Sequence, residues 1–292
     1  MADGLRTDII ILTYRPGAEF KKTLSRLSLQ TEKADHLIIV NTDEAFWDRE
    51  FENVYPGMII KHIEKKDFRH GKTRDLGAAM SGADIIVFMT MDSCPADETT
   101  IEKLIRPIAE GRAAVSYARQ IPAEDADAVE AVTRGFNYPA ESQLKTRADV
   151  ERLGIKTIFS SNVCAAYDKK IFDELGGFGS GTDFNEDTIF ASKAIEAGYA
   201  VSYTADAAVI HSHSYSGRQQ YRRNYLIGKN HAEHPEVFGK YPSEGEGVKL
   251  VKHTAAELMK TGRGYLIPKL VWISGCKYLG YRAGRRSVKK NV

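Results

Sequence analysis

The sequence predicts an α/β protein built on a doubly wound sheet. Short apolar runs recur through the first ninety residues, and segments of helical length alternate with them. Such nearly continuous apolar runs are typical of strands that are buried on both faces of a parallel sheet. Thr13, Asn41 and Asp92 stand at or just beyond the ends of three runs. Since doubly wound sheets bind ligands at the carboxyl ends of their strands, these polar residues predict a site there.

The first half of the chain supplies the clearest elements. Strands are predicted at 7–14, 36–41, 57–64 and 83–90, because each is a short apolar run. Helices are predicted from about residue 17 to 29 and from about 72 to 81. From about 121 to 154 the apolar periodicity weakens and charges multiply, which indicates a helical or mobile excursion over one edge.

Order resumes in the second half. Within 157–178 a strand of small residues precedes a short helix, which Gly176 and Gly177 are expected to end. A further helix is predicted from Glu186 to Gly198, because apolar residues mark one of its faces, and two strands are predicted to run up to His211.

Composition limits the class of protein. With 292 residues, 42% hydrophobic and 27% charged, the chain is typical of a soluble globular protein. A formal net charge of +2 gives no reason to expect a nucleic-acid partner. Three widely spaced cysteines predict no disulfide framework and indicate a reducing compartment. No signal-peptide pattern precedes the first strand, so the predicted location is the cytoplasm.

Glu186 and Asp187 stand at the start of a predicted helix. Two interpretations are open. The acids stabilise the helix through its dipole, or one of them is a general base approached by the glycine-rich segment 176–184.

His211 and His213 alternate at the end of a predicted strand, so their rings point to one face. Two histidines alone are as well explained by a structural role. Together with Asp92 from another strand end, they can hold a divalent cation, and we expect Asp92 and one histidine to bind it.

Lys72 and Arg74 lie in the basic stretch "HGKTRD" at the start of a predicted helix. They are either solvated or contact an anion such as a nucleotide phosphate. Cations at the amino end of a helix oppose its dipole, which favours the anion contact.

The sequence resembles the inverting glycosyltransferases of family 2. The resemblance is carried by "TYRP", "DFRHGKTRDLG", "IIVFMTMD", "NED" and "HSHSYS", in that order, over roughly the first 215 residues. Two of these segments, with a basic "KYLGYRAGR" near the end, look most like the rhamnosyltransferase branch that builds bacterial surface polysaccharides. The resemblance implies a GT-A fold, a Rossmann-like and mostly parallel sheet flanked by helices, in residues 1–215. Residues 216–292 are then a C-terminal helical extension.

The resemblance also implies roles for individual residues. The expected nucleotide-sugar contacts are Thr13, Tyr14, Arg15, Asn41, Asp43, Lys72, Arg74 and Asp92. The family's DxD metal motif is "TMD" here, so Thr90 replaces its first acid and Asp92 remains. His211 matches the histidine that completes a Mg2+ or Mn2+ site, with His213 as the other candidate. Asp187 matches the catalytic base, with Glu186 beside it.

The implied reaction is inverting transfer of L-rhamnose from dTDP-L-rhamnose to a glycan or lipid-linked acceptor. A family 2 enzyme that uses another donor, such as a UDP-hexose, is the first alternative. A sugar-nucleotide-binding module without turnover is the second. A nucleotide-dependent oxidoreductase is disfavoured, because "TYRPGAEF" lacks the GxGxxG pattern.

The C-terminal segment predicts a peripheral membrane contact on the inner face of the plasma membrane. Its apolar part is too short and interrupted to span a bilayer, and a basic flank without acids follows it. The alternative is packing on the catalytic domain or on a second subunit of an oligomer. The residues in question are Leu266, Ile267, Leu270, Val271, Trp272, Ile273, Lys277, Arg282, Arg285, Arg286, Lys289 and Lys290.

Overall fold

A computed structural model describes residues 4–179, 184–241 and 245–289. Its chain contacts divide into two units. Unit 1 comprises 1–120, 140–149 and 157–211, and unit 2 comprises 121–139, 150–156 and 212–292. The expected division after residue 215 made each domain one continuous segment. In the structure the C-terminal segment of unit 2 begins at Ser212. Unit 2 also includes the segments 121–139 and 150–156, which overlap the expected excursion.

Unit 1 is built on one sheet. Its strands β1 to β9 are Thr7–Tyr14, His36–Thr42, Ile59–Ile63, Ile85–Thr90, Cys94–Pro95, Val115–Ile121, Gln143–Lys145, Cys164–Asp168 and Val201–Ile210. The sheet order is β3-β2-β1-β4-β8-β6-β9-β5, and β7 pairs with β9. The pairings among β3, β2, β1 and β4 are parallel. Those of β8 with β4 and β6, and of β9 with β5 and β7, are antiparallel. The sheet is therefore mixed, where a mostly parallel one was predicted.

Helices cover the sheet and form unit 2. In chain order α1 to α12 are Ala18–Ser28, Glu50–Val54, His70–Met80, Thr100–Ala109, Ala128–Asn137, Val150–Leu153, Lys169–Glu174, Glu186–Glu196, Gly217–Glu233, Pro235–Phe238, Glu246–Lys260 and Ile267–Lys289. Short 3₁₀ turns are Glu44–Phe46, Lys65–Asp67, Arg147–Asp149, Gly154–Thr157 and Gly264–Leu266. Of the helices, α5, α6 and α9 to α12 belong to unit 2.

The predicted elements at 7–90 are confirmed, with boundaries shifted by two residues or fewer. Of two predictions further along the chain, that of two strands before His211 was wrong, and that of a helical excursion is confirmed in part, since the segment contains α5 and α6. One continuous strand, β9, replaces the two strands expected before His211, because neither glycine nor proline interrupts its run. The expected excursion contains the strand β7, whose three residues are too few to show a periodicity. Residues 180–183 of the expected glycine-rich approach lie outside the described residues.

Aromatic side chains hold the start of α8 against the sheet. Phe88, Tyr167, Phe172, Phe178 and Phe190 form a cluster whose ring centroids lie 5.0 to 6.0 Å apart. All five are among the largest fully buried side chains or are 2% exposed. Such aromatic pairs add stability beyond the area that they bury. The cluster therefore fixes α8, which begins with the two candidate catalytic acids.

Unit 2 contains a small core and a close helix pair. Val129, Leu258 and Leu270 are buried in one cluster. The helices α9 and α12 touch through glycines, because a Cβ at Gly228 or Gly284 would lie 2.1 or 2.0 Å from a backbone oxygen of the facing helix. None of the described helices combines the length and the apolarity needed to cross a membrane. The three cysteines are free, as predicted.

Candidate active site

Glu186 belongs to a buried ion pair at the start of α8. Asn185 precedes the helix in the left-handed region, with φ of 57°, a conformation that asparagine tolerates better than most residues. Oε1 of Glu186 accepts hydrogen bonds from Nη1 of Arg74 at 2.8 Å and from Nδ2 of Asn162 at 3.2 Å. Arg74 is 5% exposed and Glu186 is 6% exposed. Glu186 is therefore an ion-pair partner, and its geometry does not favour the expected catalytic role.

Asp187 has a different environment. Its Oδ2 accepts a hydrogen bond from the backbone N–H of Asn162 at 3.1 Å, and its Oδ1 accepts one from Thr188 at 2.7 Å. Burial, and then the neighbouring Glu186, raise the pKa of Asp187 to about 6. A carboxylate with a pKa near the working pH is suited to take a proton as a general base. Of the two acids, Asp187 is the candidate base.

Asn162 and Tyr167 complete this network, and sequence reasoning missed both. The hydroxyl of Tyr167 donates to Oδ1 of Asn162 at 2.7 Å. Asn162 thus contacts Asp187 through its backbone and Glu186 through its amide. The available signal was one polar amide in the small-residue segment "FSSNVC", but nothing in the sequence identifies its partners.

The helix α3 also holds the segment that leads into α8. Asp75 accepts backbone hydrogen bonds from Phe178 at 2.9 Å and Gly179 at 3.0 Å. Gly177 has φ of 58°, and a Cβ there would lie 2.7 Å from Oδ1 of Asp75, so glycine is required on both counts. Burial raises the pKa of Asp75.

Asp92 and His211 lie together in unit 1. Nε2 of His211 is 3.6 Å from Oδ1 of Asp92, and Nδ1 is 3.1 Å from Oε1 of Gln120. With the proton on Nδ1, the imidazole donates to Gln120 and directs its Nε2 lone pair towards the aspartate. A second group that orients a histidine in this way is usual at metal sites. Sequence reasoning missed Gln120.

The donor set fits a divalent cation. A carboxylate oxygen and an imidazole nitrogen suit Mn2+, and the carboxylate suits Mg2+. The hydroxyl of Thr90, two residues before Asp92, is buried without a hydrogen-bond partner among the described residues. His213 belongs to unit 2, where its ring lies 4.9 Å from that of Tyr215, and its role as a ligand stays a prediction.

Two of the expected nucleotide contacts brace the strand ends. Oγ1 of Thr13 donates to Oδ1 of Asn41 at 2.8 Å, and Nδ2 of Asn41 lies 3.0 Å from Nδ1 of His62. Thr13 is 2% exposed and Asn41 is fully buried. These side chains join β1, β2 and β3, and they support the groups beside them.

The remaining expected contacts are more accessible. Arg15 and Asp43 both have positive φ, 51° and 73°. The Arg15 guanidinium lies 4.1 Å from the centre of the Phe46 ring, and Tyr14 meets the same ring edge-on at 6.3 Å. Lys72 is exposed and has no ion pair with any residue that the structure describes. Of these residues, Arg15 and Tyr14 form a cationic and aromatic surface with Phe46 at the carboxyl ends of β1 and β2.

Arg74 differs from this group. Its burial against Glu186 makes it a support for α8, and its expected role as a nucleotide contact stays a prediction.

Comparisons with known proteins identify the family. The family model described as Glycosyl transferase family 2 matches residues 8–176. The chain belongs to glycosyltransferase family 2. This family 2 chain is 36% identical to the O-antigen chain rhamnosyltransferase RfbN of Salmonella typhimurium, covering 96% of this chain and 90% of that protein. It is 34% identical to the O-antigen chain rhamnosyltransferase WbaN of Salmonella anatum, covering 95% and 88%.

Solved structures show the fold. The mannosyltransferase PcManGT from Pyrobaculum calidifontis, in complex with GDP-Man and Mn2+, has a TM-score of 0.63 at 16% identity, over 96% of this chain and 87% of that one. TarS from S. aureus in complex with UDP-GlcNAc has a TM-score of 0.51 at 15% identity, over 98% and 92%. The predicted GT-A fold is confirmed.

Proposed function

We propose that this family 2 glycosyltransferase transfers L-rhamnose from dTDP-L-rhamnose, with inversion, to a glycan or lipid-linked acceptor in bacterial surface polysaccharide synthesis. The observation that carries the reaction type is Asp187, a carboxylate held by two backbone N–H groups and with a pKa of about 6. The donor sugar rests on the two Salmonella relatives, both named as O-antigen chain rhamnosyltransferases.

Asp187 would act as the base. It accepts the proton of an acceptor hydroxyl while that oxygen forms a bond to the anomeric carbon. The bond from that carbon to the nucleoside diphosphate breaks on the opposite face, so a single displacement inverts the anomeric centre. The buried Arg74–Glu186 pair keeps the start of α8 in place during the reaction.

Negative charge develops on the leaving diphosphate. A divalent cation, Mg2+ or Mn2+, held by Asp92 and by His211 would supply positive charge there. Gln120 fixes the His211 ring for that purpose. Because Thr90 stands where the family has another acid, we expect weak cation binding that the donor strengthens.

The test measures release of nucleoside diphosphate from dTDP-L-rhamnose, UDP-galactose, UDP-glucose and GDP-mannose by the purified full chain. We expect release from the rhamnose donor, which Asp187→Asn and excess chelator both remove. Asp206→Asn, an exposed acid in the same unit, is the matched control. A preference for a UDP-hexose would reject rhamnose as the donor. Release from none of the four would favour a binding module without turnover.

We also propose that unit 2 contacts an anionic membrane surface through one face of α12. Exposed positions recur at helical spacing, with Val271, Tyr278 and Leu279 in the first part and the arginines Arg282, Arg285 and Arg286 in the second. The prediction of a membrane contact was wrong for three of the apolar residues. Leu270 is buried, and Leu266 and Ile267 pack against the same cluster.

Liposome co-sedimentation of the full chain tests this contact. Each arginine near an anionic surface contributes about 1 kcal/mol, so binding should weaken as salt rises. The triple variant Val271→Ser, Tyr278→Ser and Leu279→Ser should no longer sediment with the liposomes. Val248→Ser with Met259→Ser removes equally exposed apolar groups from α11 and should still sediment with them. Equal sedimentation of the two variants would reject this face as the contact.

A further inference from the structure

A pocket of about 340 Å³ lies wholly within unit 2. The start of α5, the loop before α9, the first turn of α9 and the first half of α12 enclose it. Its lining includes Asp127, Glu130, His213, Gln220, Trp272 and Lys277. None of these residues except His213 has a part in the site already described. The volume falls within the range of pockets that bind small ligands.

Two polar side chains in the pocket lining make no direct hydrogen bond or ion pair within the described part of the chain. Gln220 is 8% exposed, and its side-chain amide makes no hydrogen bond to any residue in the described part of the chain. The amine of Lys277 likewise has no hydrogen bond or ion pair there, and burial lowers the pKa of Lys277. Neither group is among the fully buried, unpaired polar atoms of the described residues, so both are accessible to a molecule in the pocket. These two groups are therefore placed for a ligand that hydrogen-bonds.

An aromatic ring forms one wall. Trp272 is 66% exposed. A Cβ at Gly217 would lie 2.6 Å from its Nε1, so only glycine lets the indole lie against the start of α9. This contact fixes the edge of the ring and leaves indole surface open to the pocket.

The charges of the lining nearly balance. Oδ2 of Asp127 pairs with Nζ of Lys269 at 2.7 Å. Glu130 pairs with Arg134 and also favours the charged form of Lys277. Two carboxylates in the lining oppose an anionic ligand. A neutral ligand with both donors and acceptors fits this set better.

We propose that this pocket binds one sugar residue of the glycan acceptor. The Gln220 amide donates and accepts, as neighbouring sugar hydroxyls do, and the Lys277 amine adds a donor. The apolar C–H face of a sugar ring packs on the exposed indole of Trp272. His213, in the pocket lining, stands two residues after His211 in the chain. The choice of an acceptor sugar rests on the proposed function, because a transferase that extends a glycan must bind the sugar it extends.

The test measures saccharide binding by the full chain without donor or metal. The probes are methyl α-glycosides of L-rhamnose, D-mannose and D-galactose, measured by saturation-transfer NMR and titration. We expect at least one to bind. Gln220→Leu and Trp272→Ala should each weaken it by about tenfold or more. Lys277→Met is a third variant, in case either of these fails to fold in thermal denaturation.

Matched controls are Arg222→Leu, on an exposed position of α9, and Tyr265→Ala, an aromatic that is 77% exposed outside the lining. Both should bind as the unaltered chain does. Binding of no glycoside, equal binding by the folded pocket variants, or displacement of the glycoside by inorganic phosphate would overturn the inference. Since no donor is present, a failure of rhamnose transfer leaves this measurement unaffected. The two proposals therefore fail separately.

Discussion

Asp187→Asn should greatly lower turnover and, at pH 8, make the folded chain more stable. The pKa of this carboxyl is raised from 3.8 to about 6, mainly by burial. The folded state therefore favours the protonated form. The stability that the protonated form contributes to the folded chain is fully present below pH 4 and is lost as pH rises through 6. At pH 8 the loss of folding free energy amounts to about 3 kcal/mol. Asparagine avoids the charge. Asparagine has a single carbonyl oxygen, so one of the two backbone N–H donors, that of Asn162 or that of Thr188, loses its acceptor. This loss destabilises the variant by about 1 to 2 kcal/mol and offsets part of the gain.

The net gain of about 1 to 2 kcal/mol corresponds to a melting temperature higher by roughly 2 to 6 °C at pH 8. Near pH 4 the folded aspartate is protonated and its charge costs little, so the unpaired donor dominates and the variant should melt no higher than the unaltered chain, and rather lower. Loss of the base should lower nucleoside diphosphate release by about two to four orders of magnitude. The rate of the unaltered chain should fall about tenfold for each pH unit below 6. Differential scanning fluorimetry and the release assay measure these effects, with Asp206→Asn as the control. A variant that is inactive because it melts lower, or a pH profile that is flat through 6, would refute the reasoning.

Three further substitutions follow from particular contacts. Gln120→Leu removes the acceptor for Nδ1 of His211. We expect the Mn2+ concentration for half-maximal activity to rise by about 10 to 100 fold in a Mn2+ titration. An unchanged titration would contradict the role of Gln120. Arg74→Met leaves a buried carboxylate unpaired and should cost about 3 to 5 kcal/mol in urea unfolding. Gly284→Ala should destabilise unit 2 by about 1 to 3 kcal/mol, because its Cβ would overlap a backbone oxygen. The control is Gly275→Ala on the same helix, where a Cβ would have no atom within 4 Å, and it should stabilise the helix by up to about 1 kcal/mol. If both substitutions changed stability in the same direction, the close contact at Gly284 would be contradicted.

The sequence predicted the parallel half of the sheet well because its signal is local. The runs at β1, β2 and β4 are buried along most of their length, so apolar residues dominate them, whereas β3 is partly exposed and was found from its short apolar run. The antiparallel half depends on pairings between distant segments. β7 pairs with β9 across more than fifty residues, and three residues carry no periodicity of their own. Such a partner is fixed by the tertiary structure.

The candidate site divides in the same way. Asp92 and His211 were predicted to lie together, and the structure places them 3.6 Å apart. The partner of Arg74 that the structure shows was not predicted, because a cation at a helix start predicts an anion and does not say which one. Here the anion is a protein carboxylate 112 residues along the chain. Asn162 contacts Tyr167, Glu186 and Asp187 at separations of 5, 24 and 25 residues, and these separations follow no periodicity of a helix or strand that could have identified the contacts.

The ion pair of Arg74 with Glu186 bears on how the base is held. Two consecutive residues of α3 act on the region around α8, since Arg74 pairs with Glu186 inside the helix and Asp75 binds the backbone of the segment before it. Asn162 adds a backbone donor to Asp187 itself. All of these contacts form within the protein, without substrate. The base therefore has its position and its raised pKa before an acceptor arrives, so that binding energy from the substrate is not needed to orient it.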